Sequence, residues 1–295
     1  LPGLAGRGWL RKALVANLAL QILIIVTGGL VRLTGSGLGC PTWPQCVAGS
    51  FTPVQTQAEG FHKYIEFGNR LLTFVLAIGA VAVIVGAWRF AKDRPRLRLA
   101  AWVPLVGIVA QAILGGIIVL TKLDPKTVSP HFLLSIVLVA YSAWLLARFD
   151  EGDAPAEPVV HPAARKLTWV AAAVAVVVIV LGTAVTGSGP HSGDADEPVR
   201  FGFDPQVTSW LHADAVILFT GLAIALAVLA RVTSAPSPFR RSWDWVLGIS
   251  VIQGLIGYTQ YFAGLPIALV TLHLLGASVL TVAVTNGVLT ARVRR

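Results

Sequence analysis

Eight runs of apolar residues, each close to the length needed to cross a bilayer, constrain this chain more than any other feature: about 13–33, 66–88, 99–121, 130–149, 166–187, 208–231, 243–262 and 267–289. A helix rises about 1.5 Å per residue and the hydrocarbon core is about 30 Å thick, so roughly 20 apolar residues span it. Backbone groups inside that layer must bond one another, which a helix does within itself. The reading is an all-α polytopic membrane protein of eight transmembrane helices. Composition agrees: 55% of the residues are hydrophobic and 13% charged, against about 25% charged in soluble domains.

The net charge of +9 does not point to nucleic acid, because its distribution follows the membrane. Only Arg32, Lys63, Arg70, Lys122, Lys126 and Arg200 fall toward one side. The other 17 of 23 basic residues, from Arg7 to Arg295, fall in the alternate connections. The positive-inside rule then places both termini in the cytoplasm of a bacterial-type inner membrane. The first run follows Arg7, Arg11 and Lys12 as a signal peptide would, but it is too long for a signal core and is expected to stay as a helix.

The sequence repeats itself. Gln111 to His131 aligns without a gap on Gln253 to His273, at an offset of 142 residues; Thr34-Gly35-Ser36-Gly37 recurs as Thr186-Gly187-Ser188-Gly189; and Asn69 matches His212. Four helices per half keep the halves parallel, so two four-helix bundles related by a pseudo-twofold axis along the membrane normal are expected. The division is 1–149, a linker at 150–165 rich in Pro, Asp and Glu, and 166–295.

Imidazoles within a bilayer are costly, and a regularly spaced set calls for a ligand or proton role. His212 and His273 lie on two helices of the second half and can supply both axial ligands to one haem iron. In the first half His131 repeats His273, but its partner position is Asn69, an amide and a poor iron ligand. Iron there is read either as five-coordinate through His131 or as having its sixth position filled by water, a further residue, or His62, two helical turns before Asn69. Glu66 lies on the same face as Asn69 and is read either as a proton acceptor or as a tether paired with Arg70 or Lys63. Its match in the second half is Ser209, so the halves are chemically unequal. Arg32 and Arg70 are placed to hold haem propionates or to snorkel to the interface. Gln111 and Gln253 read as interhelical hydrogen-bonding groups.

The two cysteines, Cys40 and Cys46, lie on the expected outer side, where a disulfide can persist as a loop staple or act as a redox relay. His161 reads as a solvated linker residue. His191 with Asp194, Asp196, Glu197 and Asp204 reads as an acidic loop without the spacing of a calcium site.

The run from Thr27 to Cys46 (TGGLVRLTGSGLGCPTWPQC), with Glu66, Arg70 and the three membrane histidines, resembles haem A synthase of the bacterial CtaA and mitochondrial Cox15 family. That resemblance implies haem B as cofactor in the C-terminal half on His212 and His273, haem O as substrate in the N-terminal half on His131, and Glu66 as the functional carboxylate. The implied reaction oxidises a haem methyl to a formyl group, giving haem A for terminal oxidases. Haem O synthase and an electron acceptor are the implied partners, beside membrane lipid. The family commonly has histidine where this chain has Asn69. Other readings are a di-haem quinol oxidoreductase of the cytochrome b561 type, which would want two complete histidine pairs, and a haem transporter or chaperone, which would leave Glu66 without a task.

Overall fold

The computed structural model describes residues 2–194 and 197–294; Asp196 and Arg295, named above, lie outside them. The long helices are α1 (Pro2–Leu33), α2 (His62–Phe90), α4 (Val103–Leu120), α5 (Pro125–Asp150), α6 (Pro162–Ser188), α7 (Pro205–Val232), α8 (Ser237–Phe262) and α9 (Ile267–Leu289). A short α3 (Pro95–Ala100) leads into α4, and the two together make the third span. Pro104, which has no N–H to give, stands in the first turn of α4 and explains the break. Seven of the eight long segments are apolar enough to cross a membrane among the described residues. The eighth, α8, has the length but carries Arg240, Arg241, Asp244, Gln253 and Gln260.

Helix starts are set by proline and by short polar caps. Proline occupies the first turn of α3 through α8, where its fixed φ helps and its missing N–H costs nothing. Asp124 caps α5 through Lys126 N, and Asp204 caps α7 through Gln206 N and Val207 N. Asp204 of the acidic loop is thus a helix cap. His161 is one as well, accepting from Ala163 N at 3.2 Å, so the linker histidine has a local structural role. Helices α2, α5, α6 and α7 run past their apolar runs at both ends, since propensity and caps continue where hydrophobicity stops.

Duplication is visible in the backbone. Leu123 and Leu265, 142 residues apart, both take left-handed φ of 60° at the end of their helices. Leu123 N donates to Ile118 O at 2.9 Å and Leu265 N to Gln260 O at 2.7 Å, the same six-residue closure each time. Helix packing repeats too: α1 with α2, α4 with α5, α1 with α5 and α2 with α4 in the first half; α6 with α7, α8 with α9, α6 with α9 and α7 with α8 in the second. The halves meet where α9 lies against α1 and α5, and where α5 meets α6.

Beside a smaller cluster of Leu76, Ala80 and Ile108 in the first half, two larger packed apolar cores lie toward one end of the bundles. One gathers Leu10, Leu14, Val83, Leu97, Leu145 and Phe149; the other Phe219, Leu226, Phe239, Trp243 and Val246. This end carries most of the arginines, and we call it the basic end. There the linker is ordered rather than free: β1 (Glu157–Pro158) pairs antiparallel with β2 (Arg292–Val293), and Arg94 and Arg148 hold Asp153. The opposite end carries the cysteine loop and the histidines. Apolar side chains such as Phe74, Ile78, Leu99 and Val176 face outward, as a lipid-facing surface requires.

Candidate functional site

In the second half, α7 and α9 bring His212 and His273 together, with ring centroids 6.3 Å apart and planes nearly perpendicular at 76°. A metal–imidazole bond of about 2.0–2.1 Å, plus about 1.1 Å from nitrogen to ring centre, puts two axial imidazoles about 6.3 Å apart. Their separation is therefore compatible with two imidazoles on one metal ion. His212 Nδ1 lies 3.0 Å from Val178 O; donation to that carbonyl leaves the Nε2 lone pair for a metal. His273 Nδ1 is buried without a partner. Glycines stand beside both rings: a Cβ on Gly182 would lie 3.4 Å from His212 Cε1, and one on Gly257 would lie 3.6 Å from His273 Cε1.

The first half repeats this frame with different chemistry. His131, after Pro130 on α5, lies against Gly115 (3.7 Å on the same measure), with its Nδ1 buried and unpartnered. Asn69 on α2 lies against Gly28 (3.8 Å). Thr27 Oγ1 donates to Asn69 Oδ1 at 2.8 Å, which leaves the amide NH2 on the Gly28 side. Gln111 Nε2 donates to His131 O at 3.0 Å and to Ser135 Oγ, fixing the helix turn that carries the imidazole. Four helices thus each set a glycine against one of the four matched positions.

Glu66 is buried under the cysteine loop. Its Oε2 accepts from Cys40 N at 2.6 Å, and its Oε1 from Arg70 Nε at 3.0 Å and Nη2 at 2.6 Å. Arg70 also donates to Cys40 O, Thr42 O and Gln45 O. Carboxylate, guanidinium and loop form one unit, closed by the Cys40–Cys46 disulfide. Trp43 of that loop lies over Gly116 on α4. Lys63 is not the partner of Glu66; it donates to Val54 O and Gln55 O.

Arg32 reaches across to the other half, with Nε on His191 O at 2.7 Å and Nη2 on Thr186 O at 3.0 Å. His62 bonds Ser36 Oγ through Nδ1 at 2.8 Å and lies at the start of α2 in the loop layer. No group of three or more His, Cys, Asp or Glu is arranged to hold a bare metal ion among the described residues. His212 and His273 in the second half, and His131 with its matched Asn69 in the first, lie toward the end of the bundles opposite the two larger apolar cores.

A family model described as cytochrome oxidase assembly protein, COX15-CtaA, matches residues 11–192. The chain belongs to the COX15-CtaA family. As a COX15-CtaA member it is similar to proteins named heme A synthase: 29% identical over 150 residues to that of Geobacillus thermodenitrificans and 30% over 142 residues to that of Geobacillus kaustophilus. These matches cover 50% and 48% of the chain but only 46% and 43% of the relatives, a little under half their length. A longer match, 28% identical over 259 residues, covers 83% of the chain and 83% of the heme A synthase of Symbiobacterium thermophilum.

Several parts of this COX15-CtaA site were not legible as site residues in the sequence: Thr27, Gly28, Gly115, Gly182 and Gly257, and the carbonyl of Val178. Gly115 and Gly257 do coincide in the gapless repeat, which was the available signal. Thr27 and Val178 act through a rotamer and a main-chain atom, and periodicity carries neither.

Proposed function

We propose that this protein is a haem A synthase that oxidises a methyl group of haem O to a formyl group. The observation that carries the reading is the 6.3 Å separation of His212 and His273, which suits a bis-imidazole haem B, set beside a first half that keeps only one of the two imidazoles. Haem B, when bound, would supply one-electron transfer, since two axial imidazoles leave the iron no open position. The division into 1–149 and 166–295, and a pseudo-twofold axis between them, accord with the paired contacts α1–α9 and α5–α6 across the seam.

In the N-terminal half, substrate haem O sits on His131. Asn69, held by Thr27, directs its amide N–H groups at the opposite face, so that a small ligand or the substrate edge is bound there instead of a second imidazole. Net conversion of CH3 to CHO takes up one water and releases four protons and four electrons, through successive hydroxylation and loss of water from the hydrated aldehyde. Glu66 is the proton acceptor, and Arg70 positions it by holding Oε1. Glu66 is buried beneath the loop, with both carboxylate oxygens hydrogen-bonded. Arg32 offers its remaining Nη1 donors to a propionate. The electrons pass to an acceptor outside the chain, with haem O synthase as the natural supplier. The excess of arginines at the basic end supports a reading with both termini in the cytoplasm.

The test is direct. Detergent-purified protein is supplied with haem O and an oxidant, and its haem is extracted and weighed. A product heavier by one oxygen and lighter by two hydrogens supports the reading; haem O recovered unchanged from a fully haem-loaded preparation refutes it.

A further inference from the structure

At the basic end, a cavity of about 820 Å³ opens between α5, α6 and α9, on the seam between the halves. This volume is within the roughly 300–1,000 Å³ of small-molecule sites; no histidine lines it, though Val178, whose carbonyl meets His212, does. Its walls are apolar: Ile136, Val137 and Ala140 on α5, Ala172 and Val176 on α6, Val284 on α9. Trp144 and Trp169 stand nearer the basic end, where aromatic residues mark the membrane interface. The two-stranded sheet closes that end, and Arg165, Arg292 and Arg294 line it.

These arginines have too few acceptors. Glu151 Oε2 alone serves Arg148 at 2.6 Å, Arg292 at 3.3 Å and Arg294 at 3.8 Å. Of the other carboxylates near the linker, Asp153 is taken up by Arg94 and Arg148 and Asp150 by Arg11, while Glu157 on β1, opposite Val293, makes no ion pair among the described residues. Arg294 Nη1 donates to Ala154 O at 2.9 Å, its Nε is buried with no hydrogen-bond acceptor among the described residues, and Arg165 is exposed with no carboxylate bound among them. Desolvation and repulsion from Arg148, Arg292 and Arg96 push the Arg294 pKa down. An anion at this point would satisfy all of them.

We propose that this cavity binds an anionic phospholipid, its acyl chains between α5, α6 and α9 and its phosphate on Arg165, Arg292 and Arg294. The apolar walls and the guanidinium floor match the two parts of such a molecule, and the bilayer supplies it laterally. The lipid completes the seam, joining α5 of one half to α6 and α9 of the other.

Native mass spectrometry of the delipidated full-length protein tests this, with phosphatidylglycerol, phosphatidylcholine and inorganic phosphate as separate probes. Phosphatidylglycerol is expected to be retained at least tenfold more strongly than phosphatidylcholine, and phosphate not to displace it. The double variant Arg165→Gln/Arg294→Gln should weaken phosphatidylglycerol about 30-fold, one factor of about five for each charge, with haem content unchanged. Equal retention of both lipids, or a variant that binds phosphatidylglycerol as the parent does, overturns the proposal; complete displacement by phosphate reassigns the arginines to a small anion and overturns it too. Should the variant not fold, phosphatidylglycerol with brominated acyl chains should quench the parent protein more than the Trp169→Phe protein, and equal quenching would exclude the cavity.

Discussion

Glu66 and Arg70 are four residues apart on α2, and two very different strengths are conceivable for such a pair. An exposed i,i+4 ion pair contributes about 0.3–0.5 kcal/mol. Here the side chains are 8% and 21% exposed, and two hydrogen bonds join them at 3.0 and 2.6 Å, with a third from Cys40 N to the same carboxylate. Hydrogen bonds to charged groups are worth about 1.5–3 kcal/mol each when one partner is lost. In Glu66→Gln, the one remaining carbonyl oxygen can serve Cys40 N or Arg70, and the new NH2 then faces the other donor. A double-mutant cycle with Glu66→Gln, Arg70→Gln and both together, followed by loss of helical circular dichroism on unfolding in mixed micelles, should give a coupling energy of about 1.5–3 kcal/mol. A coupling of about 0.5 kcal/mol or less would mean that the pair behaves as a surface pair, and the carboxylate–guanidinium–loop unit would be wrong.

Three further outcomes follow from the geometry. Either His212→Ala or His273→Ala should abolish most of the low-spin haem b signal, measured by the reduced-minus-oxidised spectrum, while His131→Ala should leave it in place. Gly257→Ala should stabilise the haem-free protein by about 0.5–1 kcal/mol through helix propensity yet lower its haem b content, because the added Cβ takes space beside His273; unchanged haem content would show that the glycine is only a packing residue. The hydrogen bonds and charge of Arg94, with Arg148, hold the Asp153 carboxyl below its ordinary value of 3.8. Its contribution to stability is therefore present above that value and lost as pH falls through the lower folded value, so thermal unfolding between pH 5 and pH 3 should depend on pH less in Arg94→Gln than in the parent.

Much of this was legible before any coordinates. Span count came from hydrophobicity, and the duplicated turn at Leu123 and Leu265 was already implied by the gapless repeat. The matched positions His131, Asn69, His212 and His273 were legible because an imidazole inside an apolar run stands out. What the residues touch was not. Arg70 reads equally well as a propionate arm or a tether, and only the fold of residues 40–45 over α2 turns its donors to three loop carbonyls. The polar linker reads as coil because two-residue strands carry no periodicity, and its order depends on Arg292 and Arg294, over 130 residues away.

The unequal pair of sites is the centre of the account, and electron paramagnetic resonance of the ferric protein loaded with haem B and haem O reads it most directly. The prediction is two species: a low-spin bis-imidazole centre lost in His273→Ala, and a second centre without two nitrogen axial ligands, lost in His131→Ala. Two bis-imidazole low-spin centres, or a single centre insensitive to His273, would contradict it.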